Sequence, residues 1–240
     1  MSAYLKESEL LNHSHLLIQQ IVHSRRWDSM SRKEQILGIY NYVRDEIRFG
    51  YNRADDIPAS DVLQDGYGQC NTKGVLFMAL LRAVGVPCRM HGFAIDKKLQ
   101  KGAMKGWYYW LSPREIIHSW VEVLYEEKWL NIEGFILDVP YLTKLQQKFE
   151  QCTGSFCGYG VATDNFQKPD IYWNENDTYV QKEGIVQDFG IYDSPDAFFK
   201  AHPQGLSPIK KIVYTRVVRH LMNRNVGRIR QGEGSFDRME

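Results

Sequence analysis

Three residues of the types that perform acyl chemistry stand in the order Cys70, His118, Glu133. Cys70 closes the run Gly66-Tyr-Gly-Gln-Cys70 and opens an apolar stretch through Leu76, Phe77, Leu80 and Leu81 that stops at Gly85, with Pro87 just beyond. The pattern predicts a tight glycine turn that delivers a cysteine to the first turn of a buried helix, ended by glycine and proline punctuation. A thiol there sits near the positive end of the helix dipole, which favours the nucleophilic thiolate. In such a set the cysteine attacks an acyl carbon. The histidine takes the thiol proton and later protonates the leaving group, while the carboxylate fixes the imidazole tautomer and supports its positive charge. Each residue alone has a plainer reading: a cysteine that begins a core helix, a hydrogen-bonded core histidine, an exposed strand glutamate. It is their joint placement that argues for chemistry.

Two strands must position His118 and Glu133. Ile117 to Tyr125 and Lys128 to Glu133 both alternate, and the Glu126-Glu127 link reads as a hairpin turn, though not of the Asn-Gly or Asp-Gly kind. With those two glutamates as a two-residue loop, Tyr125 pairs with Lys128. His118 and Glu133 then have the parity of one face, as diagonal neighbours roughly 7–8 Å apart at their backbones. Val121, Val123, Leu130 and Ile132 fall on the opposite face and read as core. His118, Trp120, Trp129 and Glu133 read as a site.

These motifs resemble the transglutaminase-like branch of the papain-like cysteine enzymes. The resemblance rests on Val62-Leu63 ahead of Gly66-Tyr-Gly-Gln-Cys70, on Ala79-Leu-Leu-Arg82-Ala-Val-Gly85-Val-Pro87-Cys-Arg89, on His118-Ser-Trp120-Val-Glu122-Val, and on Trp129 leading to Glu133. Tyr40-Asn-Tyr42-Val-Arg-Asp-Glu-Ile-Arg48 is similar to the helix that precedes the core in that family. It covers about residues 30 to 140 and implies Cys70 as nucleophile, His118 as base and Glu133 as third member. The family usually has aspartate where this chain has Glu133, a departure that leaves the same role to a longer arm. The family spans cross-linking transglutaminases, proteases, amidases and de-N-glycosylating enzymes, and some inactive members. It therefore implies the chemistry more closely than the substrate. For the oxyanion, the Cys70 N–H at the helix start is the natural first donor. Gln64, six positions ahead of Cys70 as in papain-type proteases, is a further candidate, as are Gln69 and Trp120.

Composition bounds the class. The 240 residues can bury one substantial core, and the net charge of +1 gives no overall drive toward nucleic acid or anionic membrane. No apolar run is long enough to span a bilayer, and Met1 to Glu9 lacks the apolar segment of a signal peptide. A cytoplasmic protein with reduced thiols is expected. Of the four cysteines, Cys88 reads as packing, and Cys152 and Cys157 flank a glycine-containing loop without a second Cys/His pair at zinc spacing. No metal or other cofactor is expected.

Along the chain, apolar residues at helical spacing predict helix within residues 3–26. Ser31 with Glu34 forms a capping-box signature for a helix over 32–48, and Ser60 caps a short helix. Cys88 to Ile95 reads as the first core strand. Residues 96–116, rich in lysine and carrying Trp107-Tyr-Tyr-Trp110, read as a loop or lid, and Pro140 to Phe149 as a helix. Residues 151–160 read as irregular. Residues 164–196 are acidic and 207–230 form a basic amphipathic helix, expected to dock on that acidic segment. His91 is the chief rival to His118, with no carboxylate partner evident in sequence. The fold class is thus α+β: a transglutaminase-like, papain-like core at 30–140 in a single domain of 1–240, with an elaboration at 141–230 and a flexible tail at 231–240.

Two functions follow. One is a metal-independent thiol enzyme, with hydrolysis of a peptide, protein or small amide first and transamidation second. The other is a binding module on the same scaffold, holding peptide, glycan or nucleic acid through the lid aromatics and the basic helix. The complete candidate set favours the enzyme, with no nucleic acid and no membrane as partners.

Overall fold

The structure, a computed structural model, describes residues 2–203, 205 and 207–233. In chain order the principal elements begin with α1 (Leu16–Ser24), α2 (Arg32–Asp45), β1 (Arg48–Phe49), α3 (Ala59–Asp65), β2 (Tyr67–Gly68) and α4 (Cys70–Ala83). Next come β3 (Cys88–Asp96), α5 (Gly106–Leu111), β4 (Glu115–Tyr125), β5 (Lys128–Ile132) and α6 (Val139–Lys148). The chain ends with β6 (Phe156–Gly158), β7 (Val161–Thr163), β8 (Ile185–Tyr192), α7 (Pro195–Ala201), α8 (Pro208–Val213) and α9 (Arg219–Gln231), the last two joined by a π-helical turn at Tyr214–Val218. Helices packed on an antiparallel sheet make the α+β architecture read from the sequence.

The central sheet runs β5-β4-β3-β8, all antiparallel. Its β4–β5 register pairs Tyr125 with Lys128 and Val121 with Ile132, as the alternation predicts. Glu126 and Glu127 form the two-residue link with φ of 46° and 64°, so both occupy left-handed backbone that side-chain-bearing residues disfavour. α4 is the core helix. Every residue from Cys70 to Arg82 is buried, and Leu76, Phe77, Leu80 and Leu81 are wholly so. Gly74 brings its backbone against Val121 of β4 and Phe135, while the Phe77 ring packs on Phe135 at 4.9 Å and on Tyr40 of α2 at 6.3 Å. Truncating Leu80 to alanine in such packing costs about 2–5 kcal/mol.

Several local expectations change. Helix within 3–26 is confined to a single 3-10 turn at Ser2–Leu5 and to α1, because residues 6–15 are tied by Ser8 and Glu7 side chains to Asp196, Leu11 and Ser14. The capping box at Ser31 and Glu34 is present, but α3 starts one residue before Ser60, with Pro58 in the cap position. The 96–116 segment is not an open loop: β3 and β4 extend to Asp96 and Glu115, a 3-10 turn fills Lys97–Gln100, and α5 carries the aromatics. Residues 156–163 form a hairpin, and β8, read only as acidic chain, is the sheet's edge strand on β3. The basic C-terminal helix docks on its own chain but not on the acidic segment. Arg230 forks onto Asp138, the N-cap of α6, at 2.9 and 2.7 Å, and Asn223 bonds both backbone groups of Tyr51 at 2.7 and 3.0 Å. The tail expected at 231–240 lies, from residue 234 on, outside the described residues.

Candidate active site

Cys70 is placed by a turn that only glycine can make. Gly66 ends α3 in the left-handed region at φ 69°. At Gly68 a β-carbon would stand 2.7 Å from Thr72 Oγ1 and 2.9 Å from Lys73 Cγ, so the turn closes on α4 because no side chain intervenes. The short parallel bridge of β1 and β2 holds the turn, with the Gly50 N–H donating to Gly68 O at 2.9 Å. Gln69 caps α4. Its N–H donates to Thr72 Oγ1 at 3.1 Å, its side-chain amide donates to Asp55 at 2.6 Å, and its side-chain oxygen accepts from the Asn52 N–H at 3.3 Å. Cys70 is therefore fixed at the helix start, 6% exposed, with its N–H among those a helix leaves without an internal partner.

His118 and Glu133 are both wholly buried, and His118 Nε2 lies 2.8 Å from Glu133 Oε1. The second carboxylate oxygen accepts from the Val180 N–H at 2.8 Å and the Gln181 N–H at 2.9 Å. The Glu133 backbone N–H donates to Thr178 O and Oγ1 at 3.0 and 3.2 Å. With one oxygen on the imidazole and the other on two backbone N–H groups, the carboxylate is held in place against His118. With Nε2 on Glu133, Nδ1 is left without a hydrogen bond of ordinary geometry, and the thiol acting on the ring is Cys70. Burial by itself pushes the imidazole pKa down. The charge of the neighbouring Cys70, with the hydrogen bond and charge of Glu133, more than offsets it and raises the value to about 10. α4 is also bolted to the strand that carries His118: Asn71 donates to Ile117 O at 3.0 Å and accepts from Ser119 Oγ at 2.9 Å.

Cys70, Gln69 and Asn71 line a cavity of about 620 Å³ enclosed by the core, by α5 and by the helix running from Pro208 to Gln231. Of the further oxyanion candidates, Gln69 reaches this cavity with its amide already donating to Asp55. Gln64 lies on the exposed side of α3, and Trp120 is buried against Phe93 at 4.1 Å and Tyr179 at 5.6 Å; neither lines the cavity. The face carrying Trp120 and Trp129 is covered rather than open, since Arg89 stacks over Trp129 at 4.0 Å with Tyr4 beside it. His91 does have carboxylate partners: Glu122 at 2.8 Å on the paired strand and Asp188 at 2.8 Å on β8. These raise its pKa against the effect of burial, but it lies away from the cavity that Cys70 lines. The 178–181 segment that clamps Glu133, and the cavity walls from α5 and the C-terminal helix, carry no local signature. Asn71, next to Cys70, and Ser119, next to His118, were findable as polar residues at the two core motifs. The four cysteines are free thiols, and no described helix is long and apolar enough to cross a membrane.

Comparison with known proteins gives a family for this core. Residues 19–134 match the transglutaminase-like superfamily. No curated protein matches the chain. A "putative cysteine protease" from Cytophaga hutchinsonii is similar at 12% identity and a TM-score of 0.47, over 81% of this chain and 47% of that one. Red sea bream transglutaminase is similar at 13% identity and a TM-score of 0.29, over 91% of this chain and 31% of its own. The chain thus spans less than half the length of either structure. Cys70, His118 and Glu133 all lie inside the segment, residues 19–134, that matches the transglutaminase-like superfamily.

Proposed function

We propose that the protein is a thiol-dependent acyl-transfer enzyme that hydrolyses an amide of a peptide, protein or small molecule through Cys70, His118 and Glu133. The observation that carries this reading is a wholly buried imidazole held by Glu133 on one nitrogen, together with a cysteine at the start of α4 that opens onto a cavity large enough for a substrate. In the first half-reaction the Cys70 sulfur bonds to the acyl carbon and the C–N bond breaks. His118, holding the thiol's proton, gives it to the departing amine. In the second, water loses a proton to His118 and attacks the thioester, releasing the acid and restoring the thiol. The Cys70 N–H is the donor suited to the developing oxyanion, and Glu133 supports the imidazolium in both steps. Water is always at hand as acceptor, which makes hydrolysis the leading outcome and transfer to an amine the alternative.

The test is alkylation by iodoacetamide, read peptide by peptide, with Cys88 as internal reference because burial pushes its thiol pKa up to about 11. Cys70 should label rapidly near pH 6, well below the ordinary thiol pKa of about 8.5, and His118→Ala should abolish that labelling. Cys70→Ala should abolish turnover with the melting curve unchanged. Labelling of Cys70 that follows an ordinary thiol and ignores His118 would refute the reading.

A further inference from the structure

The cavity beside Cys70 has a chemical character that narrows its substrate. Its walls are apolar: Met104, Ile117, Val218 and Met222 line its depth, with Leu111 and Val213 nearer the surface. The polar side chains near Cys70 are already spent on one another. Gln69 donates to Asp55 at 2.6 Å, Asn71 bridges Ile117 O and Ser119, and Tyr51 donates to Gln100 at 2.5 Å. Asp55, besides its bond from Gln69, is pushed up in pKa by burial. Of the charged residues lining the cavity, Arg53, Asp56, Lys210 and Lys211 are all on the exposed side, and Arg53 is paired with Asp61. No described cation in the cavity's depth is placed to take an α-carboxylate, so the carboxylate of a γ-glutamyl or other zwitterionic acyl donor finds no counter-charge there. Trp107 on α5 and Ile209 on α8 add exposed apolar surface at the mouth, beside those charged side chains.

We propose that the acyl donor is an amide of a long apolar acid, whose chain fills the cavity between α5 and the C-terminal helix while its carbonyl meets Cys70. The proposal rests on the reading of Cys70 as nucleophile. The step is that of the first half-reaction: the sulfur–acyl bond forms, the acyl–nitrogen bond breaks, and the amine leaves with the proton held by His118. Apolar burial is worth about 0.8 kcal/mol per methylene, so each added methylene should raise the acylation rate about fourfold until the cavity is filled.

The experiment uses the full chain and a series of acyl p-nitroanilides from acetyl to dodecanoyl, with the γ-glutamyl p-nitroanilide beside them. Nitroaniline release and the mass of acyl-Cys70 are followed together. The expected result is a rate that climbs with chain length, a γ-glutamyl compound no better than acetyl, and a Val213→Trp variant whose rate no longer climbs with chain length. Equal rates along the series, or preference for the γ-glutamyl compound, with acyl-Cys70 formed, would overturn the apolar donor and leave the nucleophile standing. Acylation of Cys70 by none of them would overturn both.

Discussion

Replacing Glu133 by glutamine keeps its shape and removes its charge at the most fully determined point of the site. Glu133 Oε1 holds His118 Nε2 at 2.8 Å and Oε2 accepts two backbone N–H groups at 2.8 and 2.9 Å, all out of solvent. An amide can face the backbone donors with its oxygen only by turning its NH₂ toward Nε2. There it meets a donor with a donor, unless the imidazole adopts the other tautomer. A hydrogen bond to a charged group is worth about 1.5–3 kcal/mol, so the ratio of thiolate–imidazolium pair to neutral pair should fall about ten- to 150-fold. The assay is the pH profile of Cys70 alkylation by iodoacetamide in both proteins, with thermal melts to establish that the variant is folded. The expected outcome is a folded variant whose labelling near neutral pH falls within that range and whose profile moves toward that of a free thiol. A folded variant with labelling rate and pH profile within about twofold of the parent, well short of the hydrogen-bond estimate, would refute the role given to Glu133.

Two further predictions concern the scaffold. Lys73, one turn along α4 from Cys70, is wholly buried and donates to Arg44 O and Ile136 O at 3.1 and 3.0 Å. Burial lowers its pKa to about 7. A folded-state value below the unfolded one means the unfolded chain binds more protons between about pH 7 and 10.5, so this group's contribution to stability rises with pH across that window. The stability difference between the parent and Lys73→Met, from urea unfolding, should therefore shift in the parent's favour by about 2 kcal/mol from pH 7 to 9, and a pH-independent difference would contradict it. At the hairpin, Glu126→Asn with Glu127→Gly relieves two left-handed glutamates. It should raise stability by about 1–2 kcal/mol and the melting temperature by a few degrees; an unchanged or lower melting temperature would count against strain at this turn.

The site's local half was legible because its signals are short in range. The β4–β5 pairing follows from alternation and a two-residue link, so the shared face of His118 and Glu133 could be read from parity alone. The glycine turn and the apolar run placed Cys70 at the start of α4 for the same reason. What escaped were contacts between distant segments. Glu122 reaches His91 through the β3–β4 register, which depends on how residues 97–114 fold back, and no pattern within either strand encodes it. Gln64 looked apt by spacing, but it sits on the exposed side of α3, away from the cavity that Cys70 lines. The basic helix gave the right kind of docking and the wrong partner, since charge in a stretch of sequence says nothing of which single carboxylate, here Asp138, will be buried beneath it.

The donors that hold Glu133 come from Val180 and Gln181, 47 and 48 residues further along the chain. During synthesis Cys70, His118 and Glu133 leave the ribosome well before those two amides do. A nascent chain that has just released Glu133 carries a thiol and an imidazole whose carboxylate has nothing to anchor it. Order of emergence thus leaves the surroundings of His118 and Glu133 incomplete until Val180 and Gln181 have followed them out and folded back onto the carboxylate.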